Sequence, residues 1–456
     1  MKRRSFFAMA VILVLCLAFS GCDIKMSSVE GLMRPPKLSG TSSYLQTAFE
    51  ESVGEKVLMK TPISGDNRSS YMLYDIDKDG VDEGLVFYSI PGVDDNAYVS
   101  IFKQTEGVWS SVSSIKGRGE EIYEVDFADI NGDGQYEIAI SWTSYGGAEN
   151  KTGNSFSSSD RTLTIYGYSG SSVTLIITES FTNMLLCDLN GDKAEELFLV
   201  NLDLSNQENR TVGRILSFNN EYSVVKDEIF AMTGIIDVFN MTTDSFTVDE
   251  QAHSRIFLDG GISETGVITE VIDVLHDTFQ ISLPLYVSNI SENSLTIRNI
   301  RTFCTDIDGD GIVEIPTPEA LPSGVRIDDK EGNRSQLNLT VWSELEGEQL
   351  TVDKKCLLNS AYGYMFNFPD EWLEIITAVY NNNNATLTFY KLDDEGTLAG
   401  EIFSLRAFSE LKWEDNNYGY SKLDTHGAFV YGYSYVGNQE TVITKDDIID
   451  NFVILN

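Results

Sequence analysis

Short apolar segments bounded by turn residues dominate the middle of the chain, and they predict β-strands rather than helices. Segments 137–142 and 196–200 are typical, since each carries apolar side chains over a few residues and then gives way to polar residues. Further segments of this kind come in pairs, such as 162–168 with 172–178. The pattern therefore indicates a mainly β protein built from many short strands.

Four acidic segments interrupt these strands with one shared pattern, DxDxDGxxE or a close variant. They are numbered here as loops 1 to 4 and occupy residues 75–83, 129–137, 188–196 and 306–314. Their starts lie 54, 59 and 118 residues apart, and 118 is twice 59. This spacing predicts a repeat of about 57 residues, with one member near residue 247 that has lost the pattern. Each loop joins two predicted strands and a second strand pair follows, which gives four strands per repeat, as in a β-propeller blade.

The spacing of oxygen donors within the loops indicates a bound divalent cation. Side-chain oxygens at positions 1, 3 and 5 converge when the chain turns tightly, and glycine at position 6 supplies the positive φ that such a turn requires. Position 7 then offers a backbone carbonyl, and the glutamate at position 9 closes the shell. Hard oxygen donors select calcium or magnesium rather than zinc. A solvated acidic turn without an ion is the alternative, and it has most weight for loop 3, where Lys193 replaces the glycine.

These loops are not EF-hands. An EF-hand places a bidentate glutamate at position 12, whereas position 12 is Val86, Ile140, Leu199 and Thr317 in the four loops. Short apolar strands also follow the loops, where an EF-hand or dockerin has a helix.

Through these loops and their flanking strands, roughly residues 60 to 358, the chain resembles the FG-GAP/VCBS repeat family, the calcium-loop blades of integrin-α-like propellers. The resemblance implies a β-propeller of about five repeats followed by a small α+β domain. Family members commonly have seven blades. It also implies up to four structural Ca²⁺ ions, held by backbone carbonyls of Val81, Gln135, Ala194 and Ile312 and by side chains at the remaining ligand positions. Those side chains are Asp75, Asp77, Asp79 and Glu83; Asp129, Asn131, Asp133 and Glu137; Asp188, Asn190, Asp192 and Glu196; and Asp306, Asp308, Asp310 and Glu314.

The four sites are expected to differ in affinity. Loops 1 and 4 each have four carboxylates and a glycine at position 6, so they should bind calcium most tightly. Loop 3 should bind it most weakly.

The N-terminus predicts export and lipid anchoring. Basic residues 2–4 precede an apolar stretch, and Phe19-Ser-Gly-Cys22 resembles the lipobox of bacterial lipoproteins. We therefore expect a signal peptide over residues 1–21, lipidation of Cys22, and a protein held on the extracytoplasmic face of the cell membrane. A plain secretory signal is the alternative.

The remaining organisation follows from local composition. Residues 22–58 read as a lipidated tether and a short helix that begins at Thr41 or Ser42 and ends near Gly54. The propeller then spans 59–358, and the small α+β domain spans 359–456. In that last segment alternating aromatic residues from position 362 to 368 predict a strand with one aromatic core face, and 445–452 predicts a final helix. The Gly/Ser-rich segment 144–160 reads as a solvated insertion.

Charge and residue usage narrow the function. The 456 residues include 70 acidic and 32 basic side chains, a formal net charge of −38, which excludes a nucleic-acid binder. His253, His276 and His426 lie far apart without a serine or cysteine nearby in a recognisable nucleophile motif, and no cofactor fingerprint is present. The cysteines that remain after the lipobox are expected to be buried thiols; they are Cys187, Cys304 and Cys356.

The sequence thus predicts a non-enzymatic binding or adhesion module for an extracellular protein or glycan. One alternative is an envelope glycan hydrolase or lyase, which could use carboxylates outside the loops. The candidates for that chemistry are Glu120, Glu121, Glu124 and Asp126. Another alternative is a scaffold for envelope assembly.

Overall fold

The computed structural model describes residues 41–54, 56–93, 96–143, 161–203, 210–288, 295–321, 334–394, 396, 398–436 and 443–455. The predicted signal peptide, Cys22, the tether up to residue 40 and the insertion 144–160 lie outside these residues and stay predictions. Among the helices of the described residues, none is long and apolar enough to span a membrane.

Each of the first three sheets contains one acidic loop, which joins two neighbouring strands of that sheet. Sheet 1 contains β1 (Leu58–Met59), β2 (Tyr71–Tyr74), β3 (Glu83–Ser89), β4 (Ala97–Thr105) and β5 (Val108–Lys116), with β1 and β2 both paired to β3. Sheet 2 contains β6 (Glu121–Ala128), β7 (Glu137–Thr143), β8 (Arg161–Tyr168) and β9 (Val173–Phe181). Sheet 3 contains β10 (Asn183–Cys187), β11 (Glu196–Leu202), β12 (Thr211–Phe218) and β13 (Val224–Met232). All their pairings are antiparallel, and apart from the β1–β3 pair they join strands that follow one another in the chain.

Sheet 4 is the repeat that lacks the acidic pattern. It contains β14 (Asp237–Val248), β15 (Gln251–Gly261), β16 (Val267–Leu275) and β17 (Gln280–Ser282). A two-residue turn joins β14 to β15, and both turn residues have positive φ, 50° at Asp249 and 66° at Glu250. A tight hairpin therefore stands where the other repeats have a nine-residue loop.

Two larger sheets contain the remaining strands. Sheet 5 contains β18 (Ile315–Ala320), β20 (Asn338–Glu346), β21 (Gln349–Asn359), β22 (Tyr364–Asn367) and β28 (Phe452–Ile454). Sheet 6 contains β19 (Arg334–Gln336), β23 (Ile376–Asn381), β24 (Thr386–Leu392), β25 (Leu398–Ser409), β26 (Ser421–His426) and β27 (Phe429–Tyr435). The predicted domain boundary after residue 358 stays a prediction, and the pairings β21–β22 and β19–β23 cross it.

Three short α-helices and one 3₁₀ turn complete the described structure. They are α1 (Thr41–Val53), α2 (Glu410–Asp415), α3 (Lys445–Asp450) and the 3₁₀ turn Asp370–Trp372. Helix α1 confirms the predicted helix and ends at Gly54, whose φ is +63°. The predicted C-terminal helix is two residues shorter than expected, because Phe452 already belongs to β28 and pairs with Phe366 of β22.

The aromatic segment that opens the C-terminal region is buried on both faces, not on one. Phe366 packs against Phe389 and Phe403 of sheet 6 at centroid distances of 4.9 and 5.6 Å, as a core-facing stripe predicts. Met365 on the opposite face is also buried and packs with Trp342. Strand β22 lies between two neighbours in its sheet and is covered from both sides, which alternation in the sequence alone did not indicate.

Hydrophobic clusters join each sheet to the next one along the chain. Leu85 of sheet 1 packs with Ile140 of sheet 2, and the same relation holds for the following four pairs of sheets. The clusters for those pairs include Ile165 with Leu197, Ile215 with Ile256, Phe257 with Ile315, and Leu357 with Phe403. Inner strands such as β3 and β7 are therefore buried on both faces, which explains their continuous apolar sequences.

Helix α1 covers the face of sheet 1 that points away from sheet 2. Its residues Leu45 and Phe49 are buried against Val86 and Phe102 of that sheet. Leu45 approaches so closely that a Cβ at Gly84 would lie 2.7 Å from its methyl groups, so a larger residue there would force Leu45 to move. One end of the stack of sheets is thus capped by a helix.

A buried ion pair links sheet 4 to the region around loop 4. Arg255 donates to both carboxylate oxygens of Asp244 at 2.9 and 2.5 Å, and also to the carbonyl of Leu345 at 2.8 Å. Asp244 in turn accepts the backbone N–H of Val313 at 3.0 Å.

We expect Asp244→Ala to lower the free energy of unfolding by about 3–5 kcal/mol, because it leaves a buried guanidinium unpaired. Urea denaturation measures this. Asp227→Ala, which removes the exposed partner of Arg214, should cost at most about 1 kcal/mol. Equal losses in the two variants would contradict the prediction.

Glu270 predicts a second, pH-dependent effect. It is 2% exposed, accepts the backbone N–H of Thr233 at 2.7 Å, and its other oxygen has no hydrogen-bond partner among the described residues. Burial raises the pKa of Glu270 to about 7. Because the folded-state pKa lies above the unfolded value, its contribution to stability is complete below about pH 4.5 and is lost as the pH rises through about 7.

Glu270→Gln should therefore stabilise the protein more at pH 8 than at pH 5. Since each pKa unit corresponds to about 1.4 kcal/mol, the difference should be on the order of 3 kcal/mol. Urea denaturation of both proteins at the two pH values isolates this residue from other titrating groups. The same difference at both pH values would show that Glu270 is ionised throughout.

Candidate metal centres

The four acidic loops have one common backbone geometry. In each loop the carboxylate at position 1 accepts the N–H of position 6, at 3.0, 2.8, 2.9 and 2.9 Å for loops 1 to 4. The carboxylate at position 5 accepts the N–H of position 7 at 2.8 Å in all four. Aspartate is required at both positions because its short side chain reaches the backbone of the same turn.

Two positions of each loop, not one, have positive φ. Position 6 has φ of 88° at Gly80, 88° at Gly134, 78° at Lys193 and 93° at Gly311. The expected positive φ at position 6 is thus confirmed, including at Lys193. Position 4 also has positive φ, at Lys78, Gly132, Gly191 and Gly309. Glycine at three of these four positions was the signal that sequence reasoning missed.

The glutamate at position 9 is the buried member of each loop. Glu83, Glu137, Glu196 and Glu314 are at most 1% exposed, and each accepts the N–H of position 2 at 2.8–3.1 Å. Burial raises the pKa of Glu83, and it raises the pKa of Glu137 and Glu314 to about 7 and of Glu196 to about 8. These shifts mark carboxyl groups taken out of water without enough compensating charge, which is the charge that a divalent cation would supply.

Loops 1 and 4 bring their carboxylates together. Oxygens of Asp306, Asp308, Asp310 and Glu314 all lie within 4.8 Å of one another, and so do those of Asp75, Asp77 and Glu83. Three oxygens in these groups are buried and have no hydrogen-bond partner in the described part of the chain. They are Asp75 Oδ1, Asp77 Oδ1 and Glu314 Oε1. Converging hard oxygen donors with unpartnered lone pairs fit Ca²⁺ or Mg²⁺.

Loops 2 and 3 have an asparagine at position 3, and its amide donates hydrogen bonds to carboxylates of the same loop. Asn131 donates to Asp133 Oδ2 at 3.0 Å. Asn190 donates to Asp192 Oδ2 at 3.0 Å and to Glu196 Oε1 at 2.9 Å. In this arrangement the amide N–H groups are hydrogen-bonded to the carboxylate oxygens that an ion would use. Binding of an ion would therefore require the amide to turn its oxygen toward the ion.

Tyrosines of the following sheet bond to two of the buried glutamates. The hydroxyl of Tyr168 in sheet 2 donates to Glu83 Oε1 at 3.2 Å, and that of Tyr222, in the turn after β12 of sheet 3, donates to Glu137 Oε1 at 2.8 Å. Each pair is separated by 85 residues, so the same contact recurs in successive repeats. The loop glutamate therefore holds its own turn and the neighbouring sheet.

Loops 1, 2 and 3 also contact one another directly. Tyr136 in loop 2 donates its backbone N–H to the carbonyl of Ile76 in loop 1 at 2.9 Å. Glu195 in loop 3 donates its N–H to the carbonyl of Asp129 at 2.8 Å, and its carboxylate accepts the N–H of Asp129 at 3.1 Å. The three loops thus form a continuous row along one edge of the stacked sheets.

Two of the three histidines singled out in the sequence lie side by side at one end of sheet 4, because His253 pairs with Leu275, the residue before His276. His253 pairs with Asp273 at 2.7 Å, and His276 lies 2.9 Å from the hydroxyl of Ser254, a contact that sequence spacing did not indicate. Ser254 is 2% exposed, so substrate has no open approach to its hydroxyl. His426 ends β26 and is exposed.

The non-loop carboxylates divide between two environments. Glu121 forms an ion pair with Lys60, and Glu120 precedes it in the turn before β6. Glu124 and Asp126 project from the same face of β6. Burial and the neighbouring carboxylates raise the pKa of Asp126 to about 7, and burial raises that of Glu124.

The described cysteines are free thiols. Cys304 and Cys356 are buried as predicted, whereas Cys187 is half-buried. Burial raises the pKa of Cys187 to about 12 and of Cys356 to about 11, and that of Cys304 well above its usual range. These shifts favour the neutral thiol in all three at neutral pH.

No protein-family model and no curated protein sequence matches the chain. Among solved structures, the chain is similar to the β-propeller domain of the Trilobed protease from Pyrococcus furiosus, with 10% identity and a TM-score of 0.27 over 74% of this chain and 89% of that one. Rhamnogalacturonan lyase PL11 from Bacillus licheniformis gives 12% identity and a TM-score of 0.26 over 76% and 74%. Endo-arabinase from Bacteroides thetaiotaomicron gives 9% and 0.25 over 63% and 97%. TM-scores this low carry no argument about fold or activity.

The positive φ of Lys193 leads to a stability prediction. We expect Lys193→Gly to raise the free energy of unfolding by about 1 kcal/mol, because a side chain in the left-handed region is strained. Calcium affinity at loop 3 should rise with it. Chemical denaturation of the metal-free protein and calcium titration measure the two effects. The matched control is Lys422→Gly in strand β26, where glycine should cost about 0.5–1 kcal/mol. A loss of stability in both variants would contradict strain at residue 193.

Proposed function

We propose that this protein is a calcium-stabilised, propeller-like binding module. The observation that carries the proposal is the recurrence of one loop geometry four times, each with a buried glutamate at position 9. Unpartnered buried oxygens in loops 1 and 4 add to it. The side chains and carbonyls expected from the FG-GAP/VCBS resemblance are the ligands that we propose for Ca²⁺ in each loop.

The packing of the sheets supports the propeller-like part of the proposal. Five sheets follow one another along the chain, each packed face to face against the next. Helix α1 covers the outer face of sheet 1, and sheet 6 packs on sheet 5 at the other end. We propose an arc of blades capped at its two ends by these elements.

Calcium has a structural role in this proposal. An ion bound between positions 1, 3, 5, 7 and 9 neutralises carboxylates that otherwise repel each other at the edge of the stack. Because an ion binds the folded loop only, each site adds about 2.7 kcal/mol to stability at a hundredfold excess of calcium over Kd. Because loops 1, 2 and 3 are hydrogen-bonded to one another, an ion that orders one loop also stabilises the neighbouring sheet.

The location and the partner that we propose are inferred from the sequence alone. The lipobox-like segment ending at Cys22 supports anchoring at the extracytoplasmic face of the membrane. The strong negative charge supports a partner other than nucleic acid, namely an extracellular protein or glycan. Screening of envelope extracts and glycan arrays with the calcium-loaded protein separates these two classes, and capture of assembling envelope proteins would favour the scaffold alternative.

Calcium should raise the unfolding temperature of the metal-free protein by several degrees. Native mass spectrometry should find up to four ions, one for each loop. Asp306→Ala should reduce the stoichiometry by one, because position 1 both ligates the ion and orders the turn. Asp227→Ala, in an exposed ion pair away from the loops, is the control. An unchanged unfolding temperature together with no bound ion would show that the loops are solvated acidic turns.

A second candidate function is favoured by Glu124 and Asp126. Two carboxyl groups on one face of a strand, one with its pKa raised to about 7, are the residue types that a glycan hydrolase uses as acid and base. Turnover of cell-wall glycans that disappears in Asp126→Asn, while calcium binding persists, would favour this enzyme alternative over the binding module.

A further inference from the structure

We propose that Lys103 and Lys354 act as built-in cations of loops 1 and 4, lowering their calcium affinity and holding their carboxylates together without an ion. This inference rests on the proposed calcium-binding function. It follows from the position of each ammonium group and from the contrast with the two loops that lack one.

In loop 1 the lysine reaches in from strand β4. Its Nζ lies 2.9 Å from Asp77 Oδ2, 3.6 Å from Asp79 Oδ2 and 3.9 Å from Glu83 Oε1. These three carboxylates are at ligand positions 3, 5 and 9. The ammonium group therefore interacts with the same acceptors that a bound cation requires.

In loop 4 the lysine comes from a different strand. Lys354 belongs to β21, and its Nζ lies 3.0 Å from Asp308 Oδ2 and 3.3 Å from Asp353. Asp308 again occupies position 3. The same pairing is thus reached from two unrelated places in the fold, which a shared repeat pattern does not explain.

Loops 2 and 3 have neither the lysine nor the aspartate. Strand register aligns Phe102, Tyr166 and Leu216, because each pairs with the residue that follows the position-9 glutamate of its sheet. The next residue is lysine in sheet 1, but Gly167 in sheet 2 and Ser217 in sheet 3.

Position 3 changes together with the lysine. It is aspartate in loops 1 and 4 and asparagine in loops 2 and 3. With ionised carboxylates at positions 1, 3, 5 and 9, loops 1 and 4 carry four negative charges and loops 2 and 3 carry three. The lysine in contact with position 3 of loops 1 and 4 brings every loop to the same formal charge of minus three. The charge of the additional carboxylate in loops 1 and 4 is therefore balanced by a lysine of the same protein.

A fixed ammonium group within a few ångströms of a divalent cation repels it, and its bond to the position-3 carboxylate withdraws negative charge from that ligand. Loops 1 and 4 should therefore lose the advantage in affinity that their carboxylate count implies. In return, their carboxylates keep a counter-charge when calcium is scarce.

Calorimetric titration of CaCl₂ into the metal-free full chain tests this. Lys103→Met and Lys354→Met should each tighten one site by about tenfold, as expected for removal of one partly solvated charge. Both variants should also unfold at lower temperature without calcium and gain more on its addition. Lys103→Gln, which keeps a hydrogen-bond donor but no charge, should behave like Lys103→Met, whereas Lys103→Arg should restore the original affinity.

Lys60→Met is the matched control. Lys60 is similarly exposed and is ion-paired with Glu121, which begins strand β6 at the end opposite to loop 2, so calcium affinity should not change. If the wild-type chain binds calcium but the lysine variants bind it no more tightly, the inference is wrong and the proposed function stands. If neither wild type nor variants bind calcium, both are overturned. Binding by the variants alone would support the inference in its strongest form.

Discussion

The burial of one carboxylate in each repeat is the constraint on which the arrangement of the loops depends. The glutamate at position 9 begins the strand after its loop in sheets 1 to 3 and directly precedes β18 in sheet 5. It accepts a backbone N–H of its own loop, and in two repeats it accepts a tyrosine hydroxyl from the next sheet. A carboxylate withdrawn from water needs compensating charge or protonation. The fold concentrates further carboxylates around the point where we propose that a cation binds, which would tie the charge of the loops to the stability of the stack.

The fourth repeat shows an alternative solution to the same problem. It has no acidic loop, and a tight hairpin joins its first strands. Asp244 and Arg255 instead form a buried ion pair that bonds to loop 4 and to the carbonyl of Leu345. Asp259 of the same sheet forms a second buried pair, at 2.6 Å, with Arg298, whose backbone bridges to Val267 of β16. Protein side chains thus supply both charges where the acidic loop is missing. Loops 1 and 4 keep the acidic loop and also have a protein cation, the ammonium group of Lys103 or Lys354.

Much of the fold could be predicted from local sequence. The strands around each loop, helix α1 and the hairpins of the repeats follow from apolar periodicity and turn residues, both of which act over a few neighbouring residues. The positive φ at Lys193 followed from alignment with three glycines. The pairing of β22 with β28, the shortened final helix and the burial of Met365 could not be predicted in this way, because they depend on which distant strand lies alongside.

For the candidate site, the sequence by itself determined the donor types, their spacing and the recurrence of the turn, since a nine-residue loop carries its own hydrogen-bonding pattern. Only the tertiary structure decided what surrounds those donors. The ammonium groups of Lys103 and Lys354, the tyrosine hydroxyls and the row of contacts from loop 1 to loop 3 come from residues far away in the chain. The reason is physical: short-range geometry sets which oxygens converge, whereas the electrostatic environment of a carboxylate depends on every group that packing brings within a few ångströms.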